Sequence, residues 1–252
     1  MLKKYEFTNE TKKIKDVLGN FHTLHRIKAL KDFGDVEKGD LGGWIEKESN
    51  LSHEGNCWVY DSAMVYDDVK VYGNAGVYGN TLAYNDAQVY GHAQVNNAQV
   101  YGNAQVYGHA QVNNAQVYGN AQVYSDAEVL DDAQVYGYAW VRDNAQVYGN
   151  AQVYGKAWVR DNAWVYGNAH VYDDARVSGH AKVYEDAQVF GHARVYDDAR
   201  VFGHAKVYDD AQVYDTAGVY GNAQVYDEAR VHGFAGVCNN SVVCGDTEVL
   251  GD

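Results

Sequence analysis

The 252-residue chain contains no proline. Every residue therefore keeps its backbone N–H, and no position is barred from an unbroken hydrogen-bond ladder. Cysteine is nearly absent: three thiols cannot make a disulfide framework. No apolar run approaches the ~18 residues that a membrane-spanning helix needs. The opening Met1-Leu2-Lys3-Lys4-Tyr5-Glu6 shows no apolar stretch of the secretory-signal kind. A soluble, reducing, cytoplasmic setting is the expectation, with no membrane contact. Basic residues are in deficit, 20 Lys+Arg against 34 Asp+Glu, for a net charge of −14. That sign argues against direct binding of DNA or RNA.

What the chain has in abundance is one phrase. From Val59 onward, Val-Tyr-Gly-Asn-Ala-Gln and close variants recur about thirty times. The first position is Val except at Ala83, and the fifth is Ala except at Val69, Thr81, Ser241 and Thr247. Across a junction the order Ala-Gln-Val-Tyr alternates buried and exposed, the period-2 signature of a strand with one inward face. Positions three and four hold Gly-Asn, Asp-Asp, Gly-His or Asp-Asn, residues that accept turn geometry. Each unit reads as a very short strand followed by a corner, and such units bury a core only by stacking.

The number of units per turn of the coil follows from irregularities in the repeat. Val95-Asn96-Asn97-Ala98-Gln99 and Val112-Asn113-Asn114-Ala115-Gln116 each lack one position of the phrase. From the first to the second the chain runs through one short unit and two full ones. Ala-Trp-Val-Arg-Asp-Asn-Ala at 139–145 recurs at 157–163, after three full units. Both spacings predict three units per rung and a triangular coil of about eleven rungs. At ~4.8 Å per rung the coil would run roughly 50 Å.

This pattern resembles the left-handed parallel β-helix of hexapeptide-repeat proteins, with an aliphatic residue at position one and a small one at five. The resemblance, not the spacing, implies the handedness. The expected fold is all-β: a single-stranded parallel β-helix at 53–252, with a small N-terminal β cap at 1–52. Residues 1–52 differ in composition and carry 10 Lys+Arg and 9 Asp+Glu, so residues 53–252 hold a net −15. In the cap, Lys4–Thr8 and Leu24–Leu30 read as strands, while Asp32–Asp35 and Lys38–Trp44 read as turn-rich. The segment from Leu24 to Ser52 is similar to the N-terminal part of bacterial and prophage proteins of the YdcK-like type. That resemblance implies CoA-dependent acyl transfer as one possible activity. The cap's expected task is to cover the first rung, with recognition through His22, His25 and Arg26 as the alternative. At the other end the repeat stops mid-unit at Val249-Leu250-Gly251-Asp252, and self-association through that end or a flat face is expected.

Residues one rung apart should stack in register. Position two then gives an aromatic ladder: Tyr66, Tyr84, Tyr101, Tyr118, Tyr136, Tyr154, Tyr172, Phe190, Tyr208 and Tyr226. Stacked rings would stiffen the coil, or offer a long adhesive face. The next corner breaks the habit with Arg142 and Arg160, flanked by Trp140 and Trp158, with Trp164 on the following face. Trp and Arg dominate interface hot spots, and Arg stacks on Trp, so these five residues are the candidate binding patch for a protein partner. Acidic pairs at Asp173-Asp174 and Asp209-Asp210 alternate with Gly191-His192, which relieves like-charge repulsion. Calcium at Asp209–Glu228 would require a different ligand order.

Catalytic chemistry finds little footing. His92, His109, His180, His192 and His204 stand at position four, where Asn is usual, and read as turn variants. His170 is the weak candidate base, with no acid or nucleophile beside it. His232, Cys238 and Cys244 fall on three different corners, too far apart to share one metal ion. No cofactor or metal is expected. The favoured reading is a non-catalytic acidic solenoid that binds or scaffolds a protein. The alternatives are a nucleic-acid-mimicking inhibitor of a host protein and an acyltransferase.

Overall fold

The computed structural model describes residues 3–16 and 18–252. It consists of two compact units, Met1–Gly119 and Asn120–Asp252. Both are built from β-structure; the one helical element among the described residues is a 3-10 turn at Glu48–Asn50. Among the described residues no helix is long and apolar enough to cross a membrane.

The first unit begins with β1 (Tyr5–Lys15) and β2 (Phe21–Ala29), an antiparallel pair with a register slip between Phe7 and Thr11. Their turn is held by Asp16, whose Oδ1 accepts from the amides of Leu18 and Asn20 at 2.9 and 2.7 Å. β2 pairs antiparallel with β3 (Leu41–Ile45). Leu41–Trp44, part of the segment expected as turn, is therefore a strand. It was obscured because Gly42 and Gly43 have no side chains to show an alternating pattern. They are glycines because a Cβ on either would lie within 2.6–2.9 Å of the first coil residues.

β3 is also where the coil begins. It stacks in parallel on Met64–Val65, matching Trp44 to Met64 and Ile45 to Val65. The shift in composition at 52/53 thus falls after parallel stacking has started. The head packs Tyr5, Leu24, Ile27 and Trp58 into a common core, all with 0–1% exposure. Lys4 is also fully buried. Its Nζ donates to the Cys57 carbonyl at 2.7 Å and contacts Cys57 Sγ at 3.2 Å. Burial pulls the Lys4 pKa down, with the Cys57 contact opposing.

From Trp58 on, every strand is short, and strands pair with those one rung away. Within the second unit a rung is three full repeats: Gln152 N donates to Ala169 O at 2.9 Å and Tyr154 N to Val171 O at 3.0 Å. Successive strands fall on three sheets in rotation, so three units per rung holds in each unit. The Val and Ala positions fill the interior at essentially zero exposure. That small, nearly uniform core explains why no side chain larger than valine appears at either position, since overpacking a closed prism costs ~1–3 kcal/mol. The two short units keep Val95 opposite Val112. Their missing residue is the fourth, and the strands extend to Asn96 and Asn113 to close the corner.

The corners obey a stricter rule than the sequence suggested. The positive φ sits on the third position alone, for example Gly149 at 71° and Asp161 at 62°. At most corners where that residue is Asp, its carboxylate accepts the amide of its counterpart one rung on. Asp143 takes Asp161 N at 3.4 Å, Asp161 takes Gly179 N at 3.1 Å, and Asp215 takes Gly233 N at 2.9 Å. Many of the acidic residues are thus part of the corner itself.

Candidate binding faces

The position-two ladder forms within each unit. In the first, Tyr84 and Tyr101 stack at 4.8 Å between centroids, as do Tyr101 and Tyr118. In the second, Tyr136, Tyr154, Tyr172, Phe190, Tyr208 and Tyr226 follow one another at 4.8–4.9 Å with rings within 12° of parallel. Phenols also bond to glutamine amides on the adjoining rung: Tyr136 Oη to Gln152 Oε1 at 3.2 Å and Tyr208 Oη to Gln224 Oε1 at 3.3 Å. Burial raises these phenol pKa values. Tyr154 is pushed to about 12, with Tyr136, Tyr172 and Asp173 adding to the effect. Half-buried rings with internal partners behave as a brace along the corner.

The tryptophan cluster assembles in the second unit. Trp140 pairs in register with Trp158, and their rings stack at 4.9 Å and 5°. Trp164 lies on the neighbouring sheet, between Gln146 and Lys182. The expected arginine partners are different residues. Arg142 and Arg160 turn toward the adjacent corner acids, Nη1 to Asp143 at 3.4 Å and Nε to Asp161 at 3.8 Å. The cation over Trp158 is Arg176, at 5.1 Å, and the cation over Trp164 is Lys182, at 4.3 Å. The reason is geometric: a position-six side chain lies directly above another position-six side chain, whereas Arg142 and Arg160 stand at position two and lean along the corner.

The same register continues the column. Arg194 follows Arg176, and Arg200 follows Lys182. One sheet of this unit thus presents Trp140, Trp158, Arg176 and Arg194 in line, and the next presents Trp164, Lys182 and Arg200. Two shallow depressions open on them. One of about 720 Å³ includes Asn162, Trp164, His180, Lys182 and Arg200. The other, about 220 Å³, includes Arg160, Arg176, Ser178, Arg194 and Tyr196. Sequence reasoning overlooked Arg176, Lys182, Arg194 and Arg200. Position six, aligned rung by rung like position two, brings them into line.

The histidines divide by position. His170 stands between Gln152 and Gln188 and edge-on to Tyr154 at 6.3 Å, so no acidic or nucleophilic neighbour adjoins it in the column. His192 Nδ1 lies 3.9 Å from Asp210 Oδ1, the interleaving expected of that corner, and His180 Nδ1 lies 4.0 Å from Asp198 Oδ1 on another. His232 stacks on Tyr214 and contacts Glu248 at 2.8 Å, while Cys238 neighbours Tyr220 and Cys244 neighbours Tyr226. The three stand on separate corners, as expected.

In the head, Arg26 bridges Glu10 at 3.2 Å and lies 5.7 Å from the Trp44 ring, and His25 stacks on Phe7 at 4.9 Å. His22 faces Glu46 and Asp67, the one group of three metal-competent side chains that converges among the described residues. Burial acts to lower the His22 pKa. The Glu46 hydrogen bond and the charges of Glu46 and Asp67 outweigh it, and the net shift is upward. No sequence motif marked this group, because its members come from three well-separated segments of the chain.

Comparison with known proteins agrees with this architecture. Residues 145–161 and 187–201 match the family model described as the YdcK β-solenoid repeat. A 38-residue stretch is 55% identical to the Escherichia coli (strain K12) protein named "Uncharacterized acetyltransferase YdcK". That stretch covers 15% of this chain and 12% of the relative's length. Within the two matched segments the chain is similar to the YdcK β-solenoid repeat.

Proposed function

We propose that the protein is a recognition module that holds an acidic protein segment against the Trp/Arg columns of its second unit. The observation that carries this reading is the in-register column Trp140–Trp158–Arg176–Arg194 beside Trp164–Lys182–Arg200. Aromatic faces supply apolar contact area, and guanidinium forks bind carboxylates in bidentate fashion. Arg176 and Arg194 are exposed and directly opposed. Like charges so placed repel, and an acidic ligand between them would relieve that cost. Corner acids such as Asp173, Asp174 and Asp198 interrupt the basic columns, which suits a protein surface of mixed charge better than a continuous polyphosphate. The same interruption fits nucleic-acid mimicry poorly, because the mimic's negative surface would be broken by these cations.

The name carried by the E. coli relative supports a second reading, acetyl transfer, in which this basic surface would meet the phosphates of an acyl-CoA. The test separates the two. The wild-type chain and a Trp158→Ala/Arg176→Ala variant are used to capture partners from the native cell at low and high salt, and each is titrated with acetyl-CoA. The recognition reading expects one protein partner that the variant loses, with capture by the wild type weakened but not abolished by salt. Equal recovery by both chains would refute it. Acetyl-CoA binding lost in the variant, without a protein partner, would favour the second reading.

A further inference from the structure

Outside the binding columns, we infer that His22, Glu46 and Asp67 form a site for a first-row divalent metal ion at the junction of head and coil. His22 Nδ1 lies 2.9 Å from Glu46 Oε1 and 3.6 Å from Asp67 Oδ1. Ligands 2.0–2.2 Å from a common ion are separated by roughly 3.0–3.4 Å in octahedral or tetrahedral arrangements. The observed pair distances bracket that range, and all the donor atoms lie within 4.8 Å of one another.

The imidazole is the second, independent observation. His22 is 9% exposed, and its Nε2 is buried with no hydrogen-bond partner. Asp16 Oδ2 stands 3.6 Å from that nitrogen, beyond hydrogen-bonding distance. A neutral imidazole has one N–H. Whichever nitrogen carries it, the arrangement is poor: a lone pair faces Glu46, or a lone pair faces Asp16. A cation on Nδ1 removes the first conflict and fixes the N–H on Nε2, facing Asp16. A slight approach of Asp16 would then give the usual pairing of a metal-bound histidine with an outer carboxylate.

The carboxylates are already oriented for single-oxygen ligation. The second oxygen of Glu46 accepts Asp67 N at 2.7 Å, and the second oxygen of Asp67 accepts Asn85 N at 3.0 Å. Oε1 and Oδ1 are left for the ion. Asp67 holds this pose from a corner with φ of 57°. One nitrogen and two oxygens favour zinc, cobalt or manganese over calcium or magnesium, which prefer all-oxygen shells. The three ligands come from β2, the residue that follows β3 and the coil corner after Met64–Val65, so the ion would tie the head to the coil.

The experiment is equilibrium dialysis and calorimetry of the full chain with Zn²⁺, with Co²⁺ absorption as a spectroscopic readout. A Cys238→Ser/Cys244→Ser background removes competing thiols. One equivalent of tightly bound metal is expected. Glu46→Gln and Asp67→Asn should each weaken it at least ~10-fold, and Asp16→Asn ~10–100-fold, as outer-carboxylate losses do. The thermal midpoint should rise with added metal in the parent and not in Glu46→Gln. Failure of the parent to bind either ion, or unchanged binding in Glu46→Gln and Asp67→Asn variants that keep their far-ultraviolet spectrum, would overturn the site.

Discussion

Asp161 offers a test of whether the corner acids serve the fold. It sits at φ 62°, and its Oδ2 accepts Gly179 N at 3.1 Å, while its own amide donates to Asp143 at 3.4 Å. Two contributions are entangled there. The left-handed conformation costs an ordinary L-residue ~1 kcal/mol or more, a cost that Asp partly escapes. The partly exposed, charge-assisted bond contributes about 1 kcal/mol. Asp161→Ala loses both, for about 2 kcal/mol. Asp161→Gly loses the bond but sits easily at positive φ, for about 1 kcal/mol once the extra freedom of the unfolded chain is counted. Asp161→Asn keeps an acceptor and the conformational tolerance, and should cost less than either. The Arg160 contact, at 3.8 Å and on a partly exposed pair, adds little. Urea unfolding gives the ranking Ala, Gly, Asn. Amide exchange at Gly179 gives the bond alone, and should accelerate about fivefold in the Ala and Gly variants and stay slow in Asn. Equal destabilisation by Ala and Gly, or unchanged exchange at Gly179, would refute the assignment.

Two further outcomes are expected. Val165→Ala removes two buried methyl groups from a position with no exposure. It should cost about 2–3 kcal/mol by urea denaturation, whereas Gln94→Ala, at an exposed outward position, should cost under ~0.5 kcal/mol. The tyrosine brace should fail in alkali: burial holds Tyr154 protonated to about pH 12. A folded pKa above the unfolded value of 10.0 contributes stability that is complete below pH ~10 and lost as pH rises through ~12. Absorbance at 295 nm should therefore show tyrosinate appearing together with loss of β-structure, and Tyr154→Phe should shift that loss to higher pH. Ionisation at the ordinary phenol pH with structure intact would exclude the brace.

The coil was legible because its contacts all have one period. Once the recurrences at Val95/Val112 and Trp140/Trp158 give the rung, the Trp140–Trp158 pairing, the Tyr136–Tyr226 ladder and the separation of His232 from Cys238 and Cys244 follow from counting. The head offers no such count. Gly42 and Gly43 blank the alternation that would have revealed β3, and His22 meets Glu46 and Asp67 only because β3 stacks on Met64–Val65. Charge misleads for a related reason. Summed along the chain, the acids suggest a uniformly negative surface. Folded, Asp143, Asp161 and Asp215 have an oxygen turned to the next rung's amide, while Arg176, Lys182, Arg194 and Arg200 stand outward on the strands. A repeat fixes where every side chain goes before it fixes what any of them touches. Information about a partner can therefore reside only in departures from the repeat, and one set of these runs from Trp140 to Arg200, where glutamine gives way to tryptophan and then to arginine and lysine.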